Sequence, residues 1–270
     1  MGNGTAFAPA DLVDLPRYPI VDLAGESARA LTRHCREQLD RTGACELPGF
    51  LTPAAVELLT REGDRLASLA YHSESTGTPY LEIPDRDLPE DHPRRISDHT
   101  SVGVVAYDQF PPDSAMRRLY EWQPLMDFIC AALNKERLYR YADPFGALNL
   151  AVMREGERLH WHFDQTDFVT SIALRAAERG GDFEYVPLIR SAADENYPRV
   201  RRLLKGAEDE VVRVPMTPGT LLLFEGRNSI HRVTPIRGKI TRLVALLAYD
   251  TKPGTRSSKL LQRARYGREA

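Results

Sequence analysis

The chain has 270 residues, with 36 basic against 38 acidic side chains, 7 His, 3 Cys and an apolar fraction of 42%. That length allows about one or two domains with a sizeable core, and a net charge of −2 provides no global basic field for nucleic acid. The longest clean apolar run, Leu243–Tyr249, is far short of the ~18 residues of a membrane span. The opening MGNGTAFAPADL has neither the basic start nor the apolar stretch of a signal peptide. Ala6 stands where a myristoylation site beginning at Gly2 would need Ser or Thr. The three scattered cysteines, Cys35, Cys45 and Cys130, argue against a disulfide framework and for a reducing, cytoplasmic setting.

In chain order, residues 25–41 place Ala28, Leu31, Cys35 and Leu39 at helical spacing, and Gly43 stops the run. Residues 44–50 read as a short strand and turn. Thr52-Pro53 supplies a capping residue and a first-turn proline for a second helix with Val56, Leu59 and Leu66 on its inner face. Residues 72–100 are rich in Pro, Asp and Ser without any period, which predicts a lid or binding loop. Residues 101–107 read as a strand and 114–134 as one long helix.

From about residue 138 the texture changes. Short β runs at 147–153, 159–163, 168–174, 182–186, 211–215, 220–224, 232–234 and 241–249 alternate with Gly, Pro and Asp, the pattern of a sandwich or barrel. A helix at 197–205, closed by Gly206, interrupts them. The basic stretch from Lys252 to Ala270 carries little apolar content and reads as a solvated tail, with a lid over an anionic co-substrate as the alternative. The expected organisation is a single domain with a helical flank over 1–137, a β core over 138–250 and a tail over 251–270.

Three features of the β half carry chemistry. In His162-Phe163-Asp164, side chains two apart on a strand face the same side. His231 follows 67 residues after Asp164, and Arg242 eleven after that, at the start of the run LVALLAY. Two imidazoles and one carboxylate make the facial triad of non-haem iron(II) oxygenases, with three coordination positions left open. A bidentate 2-oxo acid needs two of these positions and dioxygen the third. The distal carboxylate of that acid calls for a planar cationic fork, which Arg supplies better than Lys.

The segments LHWHFDQTDFVTSIAL, GGDFEYVP and PGTLLLFEGRNSIHRVTPIRGKITRLVALLAYD resemble the Fe(II)/2-oxoglutarate-dependent oxygenases. Within these the chain looks most similar to the radical amino-acid halogenases typified by the lysine halogenases, and to their hydroxylase relatives. The resemblance extends upstream through RRISDHTSVGVVAYD and ADPFGALNLAVMREG. It implies a mainly β fold with flanking helices, built on a double-stranded β-helix (jelly-roll, cupin-like) core. It also implies His162, Asp164 and His231 as iron ligands, Arg242 as the 2-oxoglutarate clamp, and Fe(II) and 2-oxoglutarate as cofactors. One departure matters most. The halogenases carry Gly or Ala where this chain has Asp164, and that vacancy is where chloride binds. A carboxylate there implies hydroxylation.

Other residues carry two readings each. His160 shares a face with His162 and is either a substrate contact or a structural imidazole. Asn149 is a candidate partner for the co-substrate. Arg94 and Arg95 lie in the region from which related halogenases take an arginine for the substrate carboxylate, although surface arginines are common. Gly180-Gly181 reads as a turn at positive φ. The expected partners are a small-molecule substrate, namely a free amino acid or similar small polar amine, and dioxygen, with no nucleic acid and no membrane. The alternatives are the same chemistry on a nucleoside, a carrier-tethered amino acid or another natural-product intermediate, and a non-enzymatic jelly-roll binding module.

Overall fold

The computed structural model describes residues 7–270; Gly2 and Ala6 lie outside them. The N-terminal part runs α1 (Pro9–Leu12), α2 (Glu26–Thr42), β1 (Ala44–Leu47), α3 (Pro53–Leu66), β2 (Tyr71–Gly77), β3 (Asp98–Val105), α4 (Ala115–Glu121) and α5 (Gln123–Ala132). Local chemistry sets the boundaries where the sequence placed them. Gly43, at φ 71°, ends α2 and returns its N–H to Leu39 O, and the Thr52 hydroxyl accepts from Ala55 N at 3.2 Å to start α3.

Two N-terminal expectations need correction. The predicted helix over 114–134 is two helices, α4 and α5, broken at Trp122 (ψ 119°). Pro124 has no N–H to give Tyr120 O, so that carbonyl accepts from Arg140 Nε (3.3 Å) and the Tyr249 hydroxyl (3.2 Å) instead. The aperiodic stretch 72–100 is not all loop. Its two ends belong to the β2–β3 hairpin, paired from Tyr71↔Val104 to Gly77↔Asp98. The sequence YHSESTG has no apolar face because β2 is the outer strand of its sheet.

The chain continues through β4 (Tyr139–Arg140), β5 (Leu148–Met153), β6 (Leu159–His162), β7 (Val169–Arg175) and β8 (Phe183–Val186). Then come α6 (Tyr197–Leu204), β9 (Val212–Val214), β10 (Leu221–Phe224), β11 (Ile230–Val233), β12 (Arg242–Leu247), β13 (Tyr249–Asp250) and α7 (Lys259–Tyr266). The large sheet has the order β1-β10-β7-β12-β5-β3-β2 and the small one β6-β11-β8-β9, with antiparallel pairing throughout. From β5 to β12 the chain crosses between the two sheets as large, small, large, small, small, large, small, large, which is the winding of a jelly roll. The large sheet recruits β1, β2 and β3 from before residue 138, so the helical flank also supplies strands.

Alternation along the strands separates two faces. Leu148, Leu150 and Val152 of β5 turn outward into a core shared with Leu39, Leu59 and Ile129 of α2, α3 and α5. Burying a Leu or Ile side chain stabilises by roughly 1.5–3 kcal/mol, so this helical layer fixes the large sheet as a rigid wall. Asn149, Ala151 and Met153 face the interior between the sheets.

The predicted solvated tail is also corrected. Residues 259–266 form α7, capped by the Ser258 hydroxyl on Leu261 N at one end and by Gly267 (φ 68°) at the other. Tyr266 joins Val104, Ala106 and Phe145 on the inner face of the large sheet. The helix therefore closes one end of the interior.

Candidate metal centre

β6 and β11 are neighbours in the small sheet, and His162 stands directly opposite His231. Their rings lie 4.2 Å apart, centroid to centroid. Asp164 follows just past the end of β6, where its N–H donates to Gly226 O at 3.0 Å. Its Oδ1 is 4.0 Å from His162 Nε2 and its Oδ2 is 3.5 Å from His231 Nε2. One ligand atom from each of the three lies within 4.8 Å of the others.

The electrostatics of this cluster fit a cation. His162 Nδ1 faces His160 O at 2.7 Å, and His231 Nδ1 faces Ser229 O at 3.0 Å. A carbonyl only accepts, so each Nδ1 carries a proton and Nε2 is the nitrogen that each ring turns to the site, a lone pair in the neutral tautomer. Burial, and then the adjacent His231, hold the pKa of His162 well below its usual value, so that ring is neutral. Asp164 Oδ2 is buried without a hydrogen-bond partner among the described residues. Two imine lone pairs and a carboxylate thus converge with no donor between them. A divalent ion satisfies all three groups, and the set of two His and one carboxylate suits iron(II).

The pH dependence of the metal-free protein follows from the same burial. His160 is also pushed below its ordinary pKa, chiefly by desolvation. Unfolded imidazoles take up a proton below about pH 6.5, whereas the folded protein resists it. The unfolded state then binds more protons, so stability is complete above about pH 6.5 and declines as the pH falls. Thermal melts of metal-free protein should show a Tm that is level near neutrality and falls in mild acid. A Tm independent of pH across that window would contradict the assignment.

Arg242, at the start of β12, is buried at 6% exposure. Its only side-chain hydrogen-bond partner among the described residues is Met153 Sδ, at 3.6 Å. Burial lowers its pKa to about 10, partly offset by Asp182. A buried guanidinium without a close anion is costly, and a carboxylate ligand would relieve that cost. The link to the triad is apolar. Met153 and Phe183 share a cluster with Val233 and Ile236, and the Phe183 ring lies 5.5 Å from that of His231.

The remaining candidates are placed elsewhere or are already engaged. His160 is buried, with Nδ1 on the Thr100 hydroxyl and Nε2 at 3.3 Å from Thr78 O, so it ties the β2–β3 connection to β6. Asn149 donates to Phe145 O (2.7 Å) and Leu148 O (2.9 Å) and accepts from the Tyr266 hydroxyl (2.9 Å). Its amide thereby helps to hold α7. Arg94 pairs with Glu82. Arg95 donates to Leu88 O at 2.5 Å and lies 3.5 Å from Glu90. Both arginines brace the 78–97 loop, and Arg94 also lies 5.7 Å over the ring of Tyr80, which packs 5.4 Å from Phe163 between the two β6-side ligands.

Two glycines shape the site, one of them unforeseen. Gly181, at φ 68°, has Arg242 Cδ only 2.9 Å from where a Cβ would stand, so the predicted turn also makes room for the arginine. Gly226 is buried beside Asp164, and a Cβ there would run into Oδ2, with Cγ at 2.6 Å. Gly226→Ala should displace the carboxylate and weaken metal binding about 10–100-fold, the usual effect of disturbing a group that holds a ligand in place. Calorimetric titration with Fe(II) or Co(II) measures this, and a wild-type affinity would show that Gly226 does not seat Asp164.

Residues 27–262 match the halogenase D family. No curated protein matches the chain. Among solved structures, AviO1 from Streptomyces viridochromogenes is similar at 17% identity and a TM-score of 0.57, over 84% of this chain and 98% of its own. HygX from Streptomyces hygroscopicus, solved with nickel, 2-oxoglutarate and hygromycin B, is similar at 15% identity and 0.54, over 80% and 86%. A prolyl hydroxylase from Trichoplax adhaerens, in complex with a hypoxia inducible factor peptide fragment, is similar at 15% and 0.54, over 82% and 89%. The chain belongs to the halogenase D family of enzymes and has the jelly-roll fold of the 2-oxoglutarate/iron(II) oxygenases.

Proposed function

We propose that the protein is an Fe(II)/2-oxoglutarate-dependent hydroxylase acting on an unactivated C–H bond of a free amino acid or similar small polar amine. His162, Asp164 and His231 hold the iron, and Arg242 receives the distal carboxylate of 2-oxoglutarate. The observation that carries the reading is the convergence of two imidazole lone pairs and the unpartnered Asp164 oxygen. With its co-substrate and dioxygen, such a centre supplies an oxidant able to remove hydrogen from carbon and return hydroxyl. The chain's own residues do the positioning. The carbonyls of His160 and Ser229 orient both rings, Gly226 lets Asp164 reach the site, and the Met153–Phe183 cluster gives the Arg242 side an apolar wall.

Asp164 favours hydroxylation over halogenation. It fills the position that the resembling halogenases leave to a halide, and it supplies the same single negative charge. The amino-acid part of the reading rests on resemblance to enzymes of free amino acids. The test is succinate release by iron-loaded protein with 2-oxoglutarate, ascorbate, chloride and a panel of amino acids, followed by product masses. The expected result is stimulation by a panel member and a product heavier by one oxygen. Chlorinated product, or no stimulation by any amino acid, would contradict the reading.

A further inference from the structure

The connections that carry the metal ligands also shape a second concave surface. The end of α5 and the β6–β7, β8–α6 and β10–β11 connections line an open cleft of about 430 Å³, within the roughly 300–1,000 Å³ of small-molecule sites. None of the triad side chains lines it. Its charged side chains are three cations, Lys135, Arg190 and Arg227, and three anions, Asp167, Glu195 and Glu225. The β6–β7 connection begins at Asp164, whose N–H donates to Gly226 O at 3.0 Å, and the β10–β11 connection leads into the strand of His231. The cleft therefore lies at the metal end of the barrel.

Four of these six charges are matched within the cleft. Arg227 pairs with Asp167 at 2.6 Å and Arg190 with Glu195 at 2.9 Å, and Arg190 also donates to Arg227 O at 2.7 Å. The other two, Lys135 and Glu225, are half-buried, and neither side chain has a hydrogen-bond or ion-pair partner among the described residues. Both are held in place by their backbones. The Lys135 N–H donates to Cys130 O at 3.0 Å, and the Glu225 N–H donates to Gly43 O at 2.8 Å. Burial raises the pKa of Glu225, with Asp40 adding to the rise and Lys135 opposing it. One free ammonium and one free carboxylate thus share a single cleft.

We propose that this cleft binds a small zwitterion, with its ammonium group on Glu225 and its carboxylate on Lys135. A ligand bearing one charge satisfies one of these side chains and leaves the other uncompensated, whereas a ligand bearing both satisfies both. Leu133, Phe168 and Ala192 offer an apolar wall to the carbons between the two charges. The occupant has the chemistry of the free amino acid proposed above as substrate, and the cleft holds it at the metal end outside the triad. Only the identification of the occupant with the substrate rests on that reading; the binding itself rests on Lys135 and Glu225.

The probes are glycine, 4-aminobutanoate and 6-aminohexanoate, which carry the same two charges at three spacings. Butanoate and butylammonium are the singly charged controls. Calorimetric titration of metal-free protein at constant ionic strength reads binding without the metal centre. At least one probe should bind saturably, and both controls should bind at least roughly tenfold more weakly, the scale of one charge-assisted hydrogen bond. Lys135→Met and Glu225→Gln should each weaken that probe roughly tenfold with far-ultraviolet circular dichroism unchanged, while His162→Ala should bind it as the wild type does. Absence of binding by all three probes, a control that binds as tightly as the probes, or full affinity in either cleft variant would overturn the proposal. So would loss of binding in folded His162→Ala, which would place the probe at the triad. If a probe binds through Lys135 and Glu225 while Fe(II) fails to bind the wild type, the metal reading fails and the cleft stands.

Discussion

Replacing either imidazole, by His162→Ala or His231→Ala, should abolish stable iron binding and with it all turnover. Each substitution leaves two protein ligands, which hold Fe(II) poorly against water. No other imidazole substitutes for the lost one. His160, two residues along the same strand, is bound at both ring nitrogens, to the Thr100 hydroxyl and to Thr78 O. The two ligand positions are opposite each other in the β6–β11 register, so truncating one ring does not move the other. The fold should therefore survive, and loss of metal need not be loss of structure. Metal analysis after anaerobic loading with one equivalent of Fe(II) checks this. Near-wild-type occupancy in either variant would remove that residue from the ligand set.

Arg242→Ala should act on a different step. Iron occupancy stays at the wild-type level while affinity for 2-oxoglutarate falls at least tenfold. Truncating one partner of a buried hydrogen-bonded charge pair costs on the order of 2–5 kcal/mol, and each 1.4 kcal/mol is about a factor of ten. Arg242→Met separates this role from a structural one. Among the described residues the buried arginine has only the Met153 sulfur as partner, so an apolar chain of similar length removes an uncompensated charge from the metal-free protein. Arg242→Met should weaken 2-oxoglutarate as strongly as Arg242→Ala without lowering the Tm of the metal-free form. An unchanged 2-oxoglutarate affinity in both variants would take Arg242 out of the clamp role.

The jelly roll was legible because its strands are short, apolar and separated by turn residues, and because the helices covering the large sheet carry 3.6-residue periodicity. The candidate ligands were legible because His-x-Asp in an extended segment turns two side chains to one face. His231 was expected just before a strand, yet it lies within β11, whose polar neighbours Ser229 and Arg232 mask a four-residue strand. Other features were hidden in the sequence for physical reasons. β2 is polar because it is an outer strand, and α7 shows almost no apolar stripe because a single aromatic, Tyr266, and one buried amide, Gln262, dock it. Its caps, Ser258 and Gly267, were the available signal. Gly226 lies in an ordinary turn-like run, EGRN, and only the contact with Asp164 gives its lack of a side chain a meaning. For Arg94 and Arg95 the sequence left a substrate contact and a surface arginine both open, because nothing in a sequence reveals that Glu82 and Leu88 O engage them.

In the proposed site three side chains hold iron(II) so that 2-oxoglutarate can chelate it, with Arg242 receiving the far carboxylate. The most direct measurement is the visible spectrum of anaerobic Fe(II)-loaded protein titrated with 2-oxoglutarate. A weak charge-transfer band should grow to saturation at one 2-oxoglutarate per iron, and Arg242→Ala should need at least about ten times more co-substrate to reach it. Iron that binds the wild-type protein and yields no band at any 2-oxoglutarate concentration would contradict the account.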